Sequence, residues 1–151
     1  MCPPTPLACT RLTAYMQLRM RALAQLFRAL ADETRLEMLA LVTAHGELCV
    51  CDLEQVLGIS QSKSSRHLRY LRNAGLLDDH RAGLWVHYRI APALSADRKA
   101  ILRVLKGLLT GERTAELEKR FEVWSRRKAK TGERCRTDTV RRPNHRPEAR
   151  P

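Results

Sequence analysis

Residues 52–77 narrow the choice of fold more than any other part of the chain. Asp52, Leu53, Val56 and Leu57 are spaced for one short helix, Gly58 permits a sharp turn after it, and Ser60 can cap a second helix starting at Gln61. In that second helix Ser64, Leu68 and Leu71 recur at i, i+4 and i+7 and should face a core. The opposite surface carries Gln61, Ser62, Ser65, Arg66, Arg69 and Arg72. Gln and Arg make paired hydrogen bonds to base edges, and Ser and Arg bind phosphate, so this is a side-chain set suited to a DNA major groove. The first turn, with Gln61, Ser62, Ser65 and Arg66, is placed for the bases; Arg69 and Arg72 are placed for the backbone.

After Asn73-Ala74-Gly75 the pattern becomes extended. Trp85, His87 and Arg89 alternate with Val86, Tyr88 and Ile90 behind a Gly-containing turn, which predicts a β-hairpin with Val86, Tyr88 and Ile90 facing in. A hairpin directly after a reading helix is a wing, and Arg81 at its tip is placed to touch phosphate or the minor groove.

On the N-terminal side, Pro3, Pro4 and Pro6 argue for a loose arm over residues 1–11 that carries Cys2 and Cys9. Apolar residues at Leu12, Tyr15, Met16, Leu23, Leu26, Phe27 and Leu30 then predict an amphipathic helix. Asp32 is a good N-cap for the next helix, which His45-Gly46 ends. On the C-terminal side a long helical segment runs from about Ser95, with Ile101, Leu102, Leu105, Leu108 and Leu109 as its stripe, weakened at Gly111 and continued by Leu117, Phe121 and Trp124. These terminal helices have more apolar surface than one small core needs. They predict a homodimer joined through the first and last helices, presenting two reading helices to a two-fold symmetric site on double-stranded operator DNA. The fold expected is therefore mainly α with a small β-hairpin, a winged helix-turn-helix over residues 12–125.

The net charge of +12 points to a polyanionic partner. Much of it lies in residues 126–151, where ten Lys/Arg stand against three acids with three prolines, composition that predicts a disordered basic tail adding nonspecific, salt-sensitive DNA affinity. No run approaches the roughly 20 apolar residues of a membrane span, so the expectation is a soluble, cytoplasmic chain with no membrane partner. No Ser/His/Asp or paired-carboxylate set stands out, so an enzyme and an organic cofactor are not expected.

The five cysteines, at positions 2, 9, 49, 51 and 135, form no regular disulfide framework. Cys49 and Cys51 stand one residue apart where a Gly-preceded turn becomes the supporting helix. Thiolates are soft donors, so an intracellular pair selects As(III), Sb(III), Cd(II) or Pb(II) over hard cations. Residues i and i+2 point about 200° apart on a regular helix, so the two could share one ion only at a frayed or distorted helix start. Such a distortion would shift the supporting helix and, through Gly58, the reading helix. The plainer alternative is that small buried cysteines only pack.

Taken together, Ala29-Leu30-Ala31-Asp32-Glu33-Thr34-Arg35-Leu36, Glu47-Leu48-Cys49-Val50-Cys51-Asp52-Leu53, Ser60-Gln61-Ser62 with Ser65-Arg66-His67-Leu68, Leu71-Arg72-Asn73-Ala74-Gly75-Leu76 and Trp85-Val86-His87-Tyr88-Arg89 resemble the ArsR/SmtB winged-helix repressors over residues 20–110. The resemblance implies a dimeric repressor that leaves its operator when a toxic metal or metalloid binds. The Cys-Val-Cys-Asp-Leu segment is similar to that of the arsenite-responsive and cadmium/lead-responsive branches, and the terminal helix lacks the Asp-x-His ligands of the zinc and cobalt branch. As(III) or Sb(III) is the inducer this implies, with Cd(II)/Pb(II) as the alternative. Glu54 stands where a third cysteine often follows in the arsenic pattern. Cys2 or Cys9 from the arm of either subunit could complete the site, or two thiols could suffice for an arsenical carrying an organic substituent; Cys135, in the tail, is the weakest candidate. Two other classes stay open: a thiol redox switch, and a winged helix that binds RNA or protein.

Overall fold

The computed structural model describes residues 6–83 and 85–131, with side chains for residues 13–83 and 85–130. Its elements run α1 (Pro6–Leu30), α2 (Glu33–His45), β1 (Glu47–Cys49), α3 (Val50–Leu57), α4 (Gln61–Asn73), β2 (Leu77–Ala82), β3 (Trp85–Ile90), α5 (Ala96–Leu108) and α6 (Glu112–Thr131). The expected winged helix-turn-helix is present, and its punctuation is the one its residues dictate. Asp32 accepts the Arg35 N–H at 3.0 Å as N-cap of α2. Ser60 accepts the Lys63 N–H at 3.4 Å to start α4. Gly58 closes α3 at φ +65°, a left-handed conformation that glycine adopts without steric penalty.

The core is a single cluster in which α2, α3 and α4 meet. Met38, Leu39, Val42, Leu53, Val56, Leu68, Leu71 and Leu76 have almost no contact with solvent, and Leu26 and Ala29 of α1 and Leu117 and Trp124 of α6 close its two sides. Arg35 fastens α1 to α2. Its guanidinium donates to the carbonyls of Ala29 and Arg28, the last of these at 2.7 Å, so a cation satisfies the end of α1. The three strands form one antiparallel sheet in the order β1-β3-β2. Cys49 lies opposite His87, and His87 opposite His80.

Four expectations change. Helix α1 begins at Pro6, so residues 6–11, Cys9 included, are helical in backbone and the arm is shorter than its prolines suggested. Proline is tolerated in a first turn, where its missing N–H has no intrahelical partner to lose. At the other end α6 continues through Thr131, six residues into the segment read as disordered tail; Arg126, Arg127, Lys128, Ala129 and Lys130 are good helix formers, and cations suit a helix C-terminus. The rest of that tail, with Cys135, and Cys2 at the other end lie outside the described residues. A strand, β1, precedes α3 where only a turn was expected. Of the wing residues expected to face in, Tyr88 and Ile90 do pack on the core, but Trp85 on the other face is also half-buried, against Cys49 and Cys51.

The two C-terminal helices differ in use. Phe121 packs with Leu117 and Trp124 on the core, and His45 of α2 stacks on Phe121 at 3.7 Å while pairing with Glu118 at 2.9 Å. Helix α5 buries no residue fully and leaves Val104 and Leu108 exposed. Tyr15, Met16, Leu18, Met20 and Phe27 of α1 are likewise exposed, and Arg19 of α1 pairs with Asp97 of α5 at 3.2 Å.

Candidate functional site

Cys49 is the last residue of β1 and the N-cap of α3, with extended backbone (φ −77°, ψ 157°), whereas Cys51 lies in the first turn of the helix. The 200° separation of i and i+2 applies only when both residues are helical. With Cys49 outside the helix, the ligand atoms of Cys49, Cys51 and Asp52 gather within 4.8 Å of one another, all three residues buried, and no fraying is required. Glu54 is not in this group; burial raises its carboxyl. Cys49 carries a thiol, while the Cys51 sulfur stands in a disulfide.

Asp52 organises the group. At the third helical position it accepts the Cys49 N–H at 3.0 Å, the return half of a capping box. Its other oxygen accepts the indole N–H of Trp124 at 2.9 Å and the Lys128 ammonium at 2.7 Å. Burial alone would raise this carboxyl, but the hydrogen bonds from Lys128 and Trp124 outweigh it and hold it below the usual value. Lys128 Nζ also lies 3.7 Å from Cys49 Sγ. Burial pushes the Cys49 thiol up to about 11, Asp52 adds to the rise, and the Lys128 charge works against it. Trp85 covers the two cysteines from the wing. The residues that sequence reasoning missed are Trp124 and Lys128. Leu117, Phe121, Trp124 and Lys128 lie at i, i+4, i+7 and i+11, one face of one helix, and that continuing period was the available signal.

On the same face of the sheet as Cys49, Glu47 reaches His87 at 3.3 Å and His80 at 3.5 Å, tying β1 to both strands of the wing. The group does not extend to Cys2 or to the side chain of Cys9, which lie outside the described residues.

The reading helix is as expected in orientation. Ser64, Leu68 and Leu71 are buried, and Gln61, Ser62, Ser65, Arg66, Arg69 and Arg72 are exposed on the other side. Ser62 Oγ is within 3.2 Å of the capping Ser60 Oγ. Arg72 differs in one respect: its guanidinium pairs with Asp79 of β2 at 2.6 Å, so it braces the wing against α4. Arg81 is exposed on β2. His67 is buried beside Asp32, its Nδ1 at 3.4 Å, and desolvation lowers its pKa, which makes it a packing residue.

A helix-turn-helix followed by a hairpin, with an exposed Gln/Ser/Arg surface, defines a winged-helix regulatory domain. Residues 32–79 match the arsR family of bacterial regulatory proteins. The arsenical resistance operon repressor of Escherichia coli (strain K12) is 57% identical over 72 residues, 48% of this chain and 62% of that protein. The arsenic resistance transcriptional regulator ArsR2 of Pseudomonas putida is 47% identical over 78 residues, 52% of this chain and 68% of that protein. Reduced HlyU from Vibrio cholerae superimposes with a TM-score of 0.54 at 31% identity, over 64% of this chain and 98% of HlyU. The homodimeric winged helix-turn-helix domain Mb0332 from Mycobacterium bovis does so with a TM-score of 0.52 at 25% identity, over 72% of this chain and 89% of that one. The chain belongs to the arsR family of bacterial regulatory proteins. No helix among the described residues is long and apolar enough to cross a membrane.

Proposed function

We propose that the protein is a cytoplasmic, non-enzymatic transcriptional repressor that binds double-stranded operator DNA as a homodimer and is released when a trivalent arsenical, or antimonite, bonds to Cys49 and Cys51. The observation that carries this reading is the gathering of two sulfurs at the start of the helix that supports α4. Two buried soft donors suit a thiophilic element and not a hard cation. In the exchange two S–As bonds form and two As–O bonds break, the thiol protons leave with the two hydroxides as water, and nothing is oxidised. Cys51 must first be a thiol, which a dithiol or phosphine reductant provides by two-electron opening of its disulfide. The third position on arsenic is taken by Cys9 or Cys2, or by the arsenical's own hydroxyl or organic substituent.

Gln61, Ser62, Ser65 and Arg66 read bases in this proposal, Arg69 and Arg81 bind the backbone, and Arg72 steadies the wing that carries Arg81. The dimer uses α1 with α5, whose exposed Tyr15, Met16, Met20, Phe27, Val104 and Leu108 form an apolar surface, whereas α6 spends its apolar face on its own core. The homodimeric Mycobacterium bovis relative supports that assembly.

The test is operator binding under reducing conditions, using duplex DNA from upstream of the protein's own coding sequence. Arsenite should weaken binding about 5 to 150-fold, the range of a 1–3 kcal/mol coupling. Cys49→Ser and Cys51→Ser should bind DNA and ignore arsenite; release of the double variant by arsenite would show that the pair is only structural. Cys9→Ser and Cys2→Ser decide the third ligand, and release by Cd(II) or Pb(II) but not arsenite selects the other branch. The Cys51 disulfide favours a second reading, a thiol redox switch, whose mark is loss of DNA binding on treatment with peroxide and no metalloid.

A further inference from the structure

We propose that Lys128 is a specificity-determining residue: it occupies the one carboxylate that would complete a dication site at Cys49 and Cys51, and so leaves the site to three-coordinate arsenicals. The inference rests on the sensor reading above and adds what selects the ligand.

Two sulfurs and a carboxylate within 4.8 Å are by themselves a fair start for Cd(II), Pb(II) or Zn(II). A dication such as Zn(II) takes four donors, and with two from cysteine the nearest third is Asp52. Every oxygen of Asp52 is committed. Oδ2 accepts the Cys49 N–H, and Oδ1 accepts both Trp124 Nε1 and Lys128 Nζ. Lys128 is not a loose surface lysine, because α6 is pinned by buried Leu117 and Trp124, which brings the ammonium to 2.7 Å from Asp52 and 3.7 Å from Cys49 Sγ. A dication that recruits Asp52 must displace this ammonium and leave it unpaired beside a second positive centre. An arsenical needs none of this. Arsenous acid is uncharged, exchanges two hydroxyls for two sulfurs, and completes three-coordination with its remaining substituent or another thiol.

The experiment is equilibrium dialysis of the full-length, phosphine-reduced protein against sodium arsenite and against cadmium chloride, with bound element quantified. It compares wild type with Lys128→Met and Lys128→Arg; circular dichroism confirms that each variant is folded. Lys128→Met should bind Cd(II) at least about tenfold tighter than wild type, with arsenite affinity changed by less than about threefold, and Lys128→Arg should keep the wild-type preference because it keeps the charge. Adding Asp52→Asn to Lys128→Met should abolish the gain, since the freed carboxylate supplies it. Cd(II) affinity that is unchanged in Lys128→Met, or a gain that survives Asp52→Asn, overturns the proposal while the sensor reading stands. Wild type that takes up no arsenite overturns the sensor reading and this proposal with it.

Discussion

Replacing Asp52 by Ala tests whether α6 is held to the sensor through one carboxylate. Three hydrogen bonds disappear, and their losses are unequal. The Trp124 indole N–H is buried and left without its acceptor, which costs about 1–3 kcal/mol. The return half of the capping box on Cys49 N–H is worth about 1 kcal/mol. The Lys128 side chain is 37% exposed and rehydrates, so its pair adds little. The sum is about 2–4 kcal/mol, which for a domain of this size lowers the melting temperature by about 8–16 °C. Thermal unfolding followed by circular dichroism at neutral pH, in reductant, measures it. The pH dependence has a definite sign. Asp52 ionises below an ordinary aspartate's 3.8 because its hydrogen bonds outweigh its burial, so its contribution is complete above that value and is lost as the pH falls through the lower, folded value. The gap between wild type and Asp52→Ala should therefore narrow on acidification below about pH 4. A variant melting within about 2 °C of wild type at pH 7 would refute the view that this carboxylate holds the helices together.

Gln61→Ala or Ser62→Ala should change base preference, whereas Arg69→Ala should weaken binding to all sequences and lower the salt slope by about one; competition binding over several salt concentrations separates the two. Leu68→Ala empties a site with no solvent exposure at the centre of the helix-turn-helix and should cost about 2–5 kcal/mol in urea denaturation. Gly58→Ala forces a side chain into φ +65° with its Cβ 3.4 Å from the Arg120 guanidinium, and should destabilise by about 1 kcal/mol in the same assay.

What was legible in the sequence was what local rules govern. Ser60, Gly58 and Asp32 act within a turn of their own positions, and Ser64, Leu68 and Leu71 declare their face by period alone. The sensor was legible as chemistry but not as geometry. Three residues, Glu47 to Cys49, are too few to show alternation, and what makes them a strand is pairing with β3 some forty residues later, which no local window contains. Arg72 was assigned to DNA because an exposed arginine on that face fits phosphate; its partner Asp79 lies on the next element, and the pairing depends on how the wing folds back. Lys128 was lost to composition. A basic stretch reads as a solvated tail until the helix that carries it docks, and docking is decided by Leu117 and Trp124 well upstream.

Because Cys49 belongs at once to the sheet and to the cap of α3, any pull on its sulfur works a short lever. Helix α3 has eight residues, about 12 Å at 1.5 Å per residue, so a 1 Å displacement of its first end tilts it by about 5°. Carried through the rigid turn at Gly58 and along the thirteen residues of α4, about 20 Å, that tilt moves the far end by about 1.7 Å. Hydrogen bonds to base edges tolerate only a few tenths of an ångström. The same pull reaches the wing in one step across the strand pair to His87. A displacement no larger than a bond length is therefore sufficient to misalign both parts of a DNA-reading surface together, with no long chain of intermediates between them.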